Sequence, residues 1–185
     1  RPDKETLLKR WSRIEGVYIP AFFEPQYDAC GFQTLVPRYP DYTHVKRTIV
    51  ADLDQVPFPA KPVTPFGNPV HDRLRLEVAR GCTRGCRFCQ AGMIYRPVRE
   101  RSPDSLLALC DKAVSATGYE DISLLSLSTG DYSCLAKLLE EMMTRYECDH
   151  VAVFLPSIRA NVLTPDLMAL IRKVRKTGFT IAPEA

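Results

Sequence analysis

From Arg73 onward the chain alternates short apolar runs with amphipathic stretches of helical period, and this alternation limits the fold more than any other feature. The segment RLRLEVAR puts Leu74, Leu76 and Val78 on every second position, the period of a strand. SPDSLLALCDKAVSATG then reads as a helix. Ser102 is its N-cap, Pro103 stands in the first turn, Leu106, Leu109, Cys110, Ala113 and Val114 share one face, and Gly118 ends it. ISLLSL (122–127) is a second strand, and the next helix carries Leu135, Leu138, Leu139, Met142 and Met143 on one face. VAVFL (151–155) is a third strand. Thr164 and Pro165 open a further helix, with Leu167, Leu170, Ile171 and Val174 inward and Gly178 at its end, and FTIA (179–182) is a fourth strand. This order predicts an α/β fold whose parallel sheet is joined by right-handed crossovers. A complete (βα) barrel of eight strands takes about 250 residues. The expectation is therefore a partial, truncated TIM-type barrel over residues 73–185, with about four parallel strands.

Residues 1–72 have a different texture. Most of the 15 prolines fall between 17 and 72, in runs such as DQVPFPAKPVTPFGNPV, and proline at that density excludes long helices. A short helix is predicted at KETLLKRWSRI, and strands at GVYIPAFF (16–23) and HVKRTIVADL (44–53). The region reads as a proline-rich arm or connector containing β structure. The chain starts at Arg1 and stops just after the fourth strand, which reads as part of a longer protein.

Composition excludes several classes. With 45% hydrophobic and 25% charged residues the chain has a globular balance. A net charge of +3 admits an anionic ligand but is far from the strong basicity of a dedicated nucleic-acid binder. No apolar run approaches the ~20 residues of a membrane span, and no signal-peptide pattern opens the chain. A cytoplasmic protein without membrane contact is expected. Cysteine usage agrees, because 7 is odd and a secreted disulfide framework shows even counts in shorter chains.

Three of those cysteines are crowded into EVARGCTRGCRFCQAG (77–92), where Cys82, Cys86 and Cys89 are spaced C-x3-C-x2-C after the first strand. In parallel α/β folds ligands collect in the loops at the carboxyl ends of strands. The second strand is followed there by STGDY, the third by PSIR and the fourth by PEA. Structural zinc takes four ligands, and neither Cys110, on a helix face, nor the distant His71 supplies a fourth at zinc-site spacing. An iron–sulfur cluster also takes four thiolates, so three on a four-iron cluster leave one iron open to an outside ligand. His44, His71 and His150 are isolated and read as structural or surface residues. Cys30, Cys110, Cys134 and Cys148 show no ligand spacing and read as packing thiols.

The C-x3-C-x2-C spacing, the aromatic Phe88 before the last cysteine and the strand–loop–helix context resemble the radical S-adenosylmethionine (SAM) superfamily. EVARGCTRGCRFCQAGMIYRPVRERSP, SLLSLSTGDY and TIAPEA are more closely similar to a branch of that superfamily in which a cobalamin-binding domain precedes the barrel. A more distant likeness is to the methylthiotransferases acting on tRNA or a ribosomal protein, which share an Arg-rich stretch after the loop, here Arg96, Arg99 and Arg101.

The resemblance implies a [4Fe–4S] cluster on Cys82, Cys86 and Cys89, with SAM chelated by the open iron. SAM is then cleaved reductively to a 5′-deoxyadenosyl radical that abstracts hydrogen, in a methylation or methylthiolation type of modification. It implies that Phe88 lies near the adenine; plain loop packing is the alternative. Thr129, Gly130 and Asp131 occupy the place of a Gly-Gly-Glu that binds the SAM amino group, here with Thr for the first Gly and the shorter Asp for Glu. The alternative is a strand-to-helix turn in which Asp131 caps the next helix. Ser157 and Arg159 correspond to groups for the SAM carboxylate and ribose, and Arg suits a carboxylate because it binds bidentately. Glu184 corresponds to a residue beside the ribose. Arg80, Arg84 and Arg87 flank the cluster loop, where positive charge raises a cluster's potential; solvated loop arginines are the plain reading.

Implied partners are a flavodoxin- or ferredoxin-like electron donor and an RNA or protein substrate, with cobalamin in a separate domain. A partial barrel leaves an open sheet edge through which chains associate. Two rival readings are a zinc-binding nucleic-acid module built on the cysteine loop and the RPVRER arginines, and an electron-transfer protein.

Overall fold

The computed structural model describes residues 2–67, 69–156 and 158–174. The chain divides into two compact units, Arg1–Val50 and Ala51–Ala185, so the boundary lies ahead of the composition change near residue 72.

In the first unit, α1 (Lys4–Trp11) is capped by Asp3, whose carboxylate accepts the Thr6 N–H at 2.9 Å. β1 (Phe23–Tyr27) and β2 (Gln33–Pro37) form an antiparallel hairpin, with Phe23 opposite Pro37 and Tyr27 opposite Gln33. Its turn is an Asx loop in which Asp28 Oδ1 accepts the N–H groups of Cys30 and Phe32, both at 2.9 Å. Ile19, Phe22, Phe23 and Tyr42 bury a small aromatic cluster beneath it. The expected strands are displaced. Of residues 16–23 only Phe23 joins a ladder, because Pro20–Phe22 turns as a 3-10 helix. Residues 44–53 pair with nothing in a sheet, and the partner strand is 33–37, which its exposed side chains and terminal proline had concealed.

The second unit orders β3 (Leu74–Glu77), β4 (Ala79–Arg80), α2 (Ala91–Ile94), β5 (Arg99–Glu100), α3 (Pro103–Thr117), β6 (Asp121–Leu125), α4 (Leu135–Tyr146), β7 (Ala152–Phe154) and α5 (Pro165–Ile171). β3, β6 and β7 form a parallel sheet in that order, with Leu74 beside Ile122, Leu76 beside Leu124 and Ile122 beside Val153. Alternation gives the sheet two unlike faces. Leu74, Leu76, Val78, Ile122, Leu124 and Val153 are buried in one core with Leu106, Leu107, Cys110 and Ala113 of α3 and Leu138, Leu139, Met142 and Met143 of α4. Each fully buried side chain of that size contributes roughly 1.5–3 kcal/mol. Arg75, Glu77, Leu125 and Phe154 stand on the other face, and the Arg73 guanidinium lies 4.9 Å over the Phe154 ring.

The helix ends follow the sequence. Ser102 Oγ accepts the Ser105 N–H, Gly118 at φ +69° closes α3 with its N–H on the Val114 carbonyl, and Thr164 Oγ1 accepts the Leu167 N–H. From the proline-rich segment, Leu53 is fully buried and Asp54 accepts the Ser102 N–H at 3.0 Å. Among the described residues there are three parallel strands and no closed barrel; the fourth expected strand, 179–182, lies outside them. No helix among the described residues is long and apolar enough to cross a membrane.

β4 leaves the sheet to pair with β5, Ala79 opposite Glu100 and Arg80 opposite Arg99. The Arg101 N–H donates to the Val78 carbonyl and the Val78 N–H to that of Leu125. The loop 81–98 is thus clamped at its base. Gly81, at φ +93°, makes the clamp possible: a Cβ there would lie 2.4 Å from the Tyr95 carbonyl oxygen and 2.6 Å from that of Pro97. Gly85 shares the left-handed conformation at φ +69° but has open space around it. Gly81→Ala is therefore expected to lose about 2–4 kcal/mol in urea unfolding, against about 1 kcal/mol for Gly85→Ala. Equal losses would contradict the clamp.

Candidate functional site

Loop 81–98 carries all three clustered cysteines, each partly accessible. The Cys89 N–H donates to the Cys86 carbonyl at 3.0 Å, which turns the chain between the last two thiols. Gly92 is buried in α2, and a Cβ at that position would lie 3.9 Å from Cys89 Sγ and 4.0 Å from the Cys82 carbonyl oxygen. The short helix therefore folds down onto both ends of the motif. Cys82 Sγ accepts the Arg84 N–H at 3.5 Å, and Arg159 Nη1 stands 4.0 Å from Cys86 Sγ. Amide and guanidinium donors are what a thiolate needs as a ligand. Among the described residues no three His, Cys, Asp or Glu side chains stand at the spacing that holds a metal ion, so the fit to a cluster rests on this donor set.

The turn after β6 faces the loop. Thr129–Asp131 forms a 3-10 turn; Thr129 is fully buried and its hydroxyl shares a 3.0 Å hydrogen bond with Ser126. Gly130 leaves no room for a side chain, since a Cβ would meet the Val162 methyls at 2.9 Å. Asp131 accepts from the Ser128 hydroxyl at 2.7 Å and from Arg84, through Nε at 2.7 Å and through Nη2. The Arg84 guanidinium holds the Asp131 carboxyl below the usual carboxylate range. Asp131 does not cap the next helix: α4 begins at Leu135 with no side-chain cap bond. Its carboxylate is engaged across the loop instead.

Phe88 is 71% exposed, so loop packing does not explain the ring. Arg159 is half-buried with Nη1 toward Cys86 Sγ, and its charge adds to that of Arg84 in lowering the Asp131 carboxyl. Ser157 and Glu184 lie outside the described residues. The arginines of the loop serve it internally. Arg80 grips Glu77 through two bonds of 2.9 and 2.8 Å and lowers that carboxyl's pKa. Arg96 donates to the Gly92 carbonyl, Arg99 to those of Pro97 and Tyr95, and Arg101 is 2% exposed. Of the flanking set, Arg84 and Arg87 are both exposed, Arg84 while paired with Asp131. His44, His71 and His150 are exposed.

A cavity of about 260 Å³ opens beside the loop, lined by Glu77, Ala79, Arg80, Tyr95, Leu125 and Leu127 among others. It sits at the carboxyl end of the sheet face left uncovered by α3 and α4. Sequence reasoning missed the Arg84–Asp131 and Glu77–Arg80 pairs. The second had a weak signal in its i, i+3 spacing; the first spans 47 residues and had none.

Comparison with known proteins adds a family. Residues 76–185 match the radical SAM superfamily. An uncharacterized protein of Methanocaldococcus jannaschii is 34% identical over 148 residues, 80% of this chain and 32% of that protein. The threonylcarbamoyladenosine tRNA methylthiotransferase MtaB of Bacillus subtilis is 29% identical over 110 residues, 56% of this chain and 24% of the enzyme. The chain thus spans a third or less of the length of these relatives. No solved structure matches it.

The remaining cysteines divide by environment. Cys110 is fully buried, and desolvation pushes its thiol up to about 11. Cys30 and Cys148 are exposed rather than packed, contrary to the sequence expectation. At pH 8 Cys110 is expected to alkylate at least about a hundredfold more slowly than Cys30 or Cys148, because so little of it is thiolate. Peptide mass spectrometry after timed iodoacetamide treatment measures this; comparable rates would contradict the burial.

Proposed function

The chain belongs to the radical SAM superfamily, and from that premise we propose that Cys82, Cys86 and Cys89 hold a [4Fe–4S] cluster whose open iron chelates SAM. Membership implies an enzyme of radical chemistry begun by SAM cleavage, on the TIM-type fold of that superfamily. The observation that carries the finer reading is the clamped loop: three accessible thiols on one segment, at the carboxyl end of a parallel sheet, inside the matched region. When bound, the cluster supplies the electron for SAM cleavage. The chain's own residues do the rest. The neutral Arg84 amide donates to one thiol and the cationic Arg159 guanidinium stands against another, and hydrogen bonds and positive charge at the sulfurs raise cluster potential. The exposed Phe88 ring offers a face for the adenine, and the Glu77–Arg80 cavity gives space at the sheet's carboxyl end for the group to be modified.

For the substrate we favour an RNA, in a methylthiolation type of modification. The support is the likeness to an enzyme named for acting on a tRNA nucleoside. A flavodoxin- or ferredoxin-like donor supplies the electron. Cobalamin is proposed, on the resemblance alone, for a separate domain. The zinc-module reading loses its main support, because Arg96 and Arg99 bond the loop's own carbonyls and Arg101 is buried.

Anaerobic reconstitution tests the ligand set. Wild-type protein is expected to hold about four irons and absorb near 400 nm. Ala at Cys82, Cys86 or Cys89 should abolish this, while Cys110→Ala and Cys148→Ala should retain it. Iron kept by Cys86→Ala would overturn the assignment, and a colourless wild-type protein holding zinc would favour the zinc module.

A further inference from the structure

We propose that Asp131 serves the site through Arg84: the pair is a clasp that sets the cysteine loop against the turn after β6, and Asp131 is a positioning residue rather than the ligand of the SAM ammonium. The inference rests on the reading of loop 81–98 as the cluster site. Arg84 lies between Cys82 and Cys86, and its own N–H donates to Cys82 Sγ. Fixing its side chain therefore fixes the segment that carries two of the three thiols.

The two ends of the clasp differ in rigidity. Asp131 stands on a turn tied down by the buried Thr129, by Gly130 wedged against Val162 and by its own N–H on the Ser128 carbonyl. Arg84 and Gly85 are exposed, with open space around Gly85. The turn thus positions the loop. The carboxylate has little left for an incoming ammonium: Oδ2 accepts from Arg84 Nε and Ser128 Oγ, and Oδ1 accepts from Arg84 Nη2. A forked guanidinium–carboxylate contact has a defined geometry that a lone ammonium does not reproduce. Arg159, close enough to attract the same carboxylate and within 4.0 Å of Cys86 Sγ, brings a second cation to the junction.

Four variants test this: Arg84→Ala, Arg84→Lys, Asp131→Asn and the reciprocal Arg84→Asp/Asp131→Arg. Amide hydrogen exchange across residues 82–90 of the metal-free protein reports the clasp, with protection of β3 and β6 as the control for folding. After iron loading, the SAM concentration that changes the reduced cluster's paramagnetic signal reports ligand binding. Arg84→Ala and Asp131→Asn are expected to speed loop exchange about three- to fivefold, as for a partly exposed ion pair, and to weaken SAM binding. Arg84→Lys should fall between, and the reciprocal variant should restore both readouts. A reciprocal variant that regains loop protection but not SAM binding would show that Asp131 contacts SAM itself. Unchanged exchange in the single variants, or no restoration of either readout, would also overturn the clasp. Wild-type protein that takes up no iron would instead refute the cluster reading, because exchange in the metal-free protein does not depend on it.

Discussion

The parallel pairing of β3 with β6 underlies everything else in the second unit. Its register, Leu74 beside Ile122 through Glu77 beside Leu125, ends both strands at the same level. The chain leaving β3 becomes the cysteine loop and the chain leaving β6 becomes the Thr129–Asp131 turn, so the two meet although they are 47 residues apart. A slip of one residue would turn Leu74, Leu76 and Val78 out of the core and part the loop from the turn. The core under α3 and α4 therefore fixes the site's geometry as well as its stability.

Charge accounts for the second level. Arginine is dense around the loop, yet nearly every copy has a task in holding it. Arg80 locks to Glu77, Arg84 to Asp131, and Arg96 and Arg99 to carbonyls of the loop itself. Arg101, 2% exposed, keeps Nε and Nη1 without hydrogen-bond partners and sits near the carboxylates of Glu77 and Asp54, which draw on its charge. The Tyr132 hydroxyl donates to the Arg101 carbonyl, tying the residue after β5 to the segment after β6. Positive charge is thus built into the walls of a loop that carries three thiols, as anionic ligands require.

Local chemistry was legible in the sequence; contacts across the chain were not. Ser102 and Gly118 mark the ends of α3 because capping depends on neighbours within four residues. The face of α4 followed from period alone; α3 buries Leu106, Cys110 and Ala113 as expected but also Leu107, while Leu109 and Val114 are only partly buried. The hairpin of the first unit escaped notice because Pro25 and Pro37 lie in its strands and most of its side chains face solvent, which erases the alternating pattern. The motif Cys82, Cys86, Cys89 was plain, but the use of Asp131 was not. A helix cap and a ligand for an amino group were both consistent with its place after a strand, and only the fold reveals Arg84 as its partner.

The central claim is that the open iron of a cluster on this loop binds SAM. Electron paramagnetic resonance of the anaerobically reconstituted, dithionite-reduced protein, recorded with and without SAM, tests it most directly. The account predicts a reduced [4Fe–4S] signal whose shape changes when SAM is added. A signal indifferent to SAM, or a metal-loaded protein without any iron signal, would contradict it.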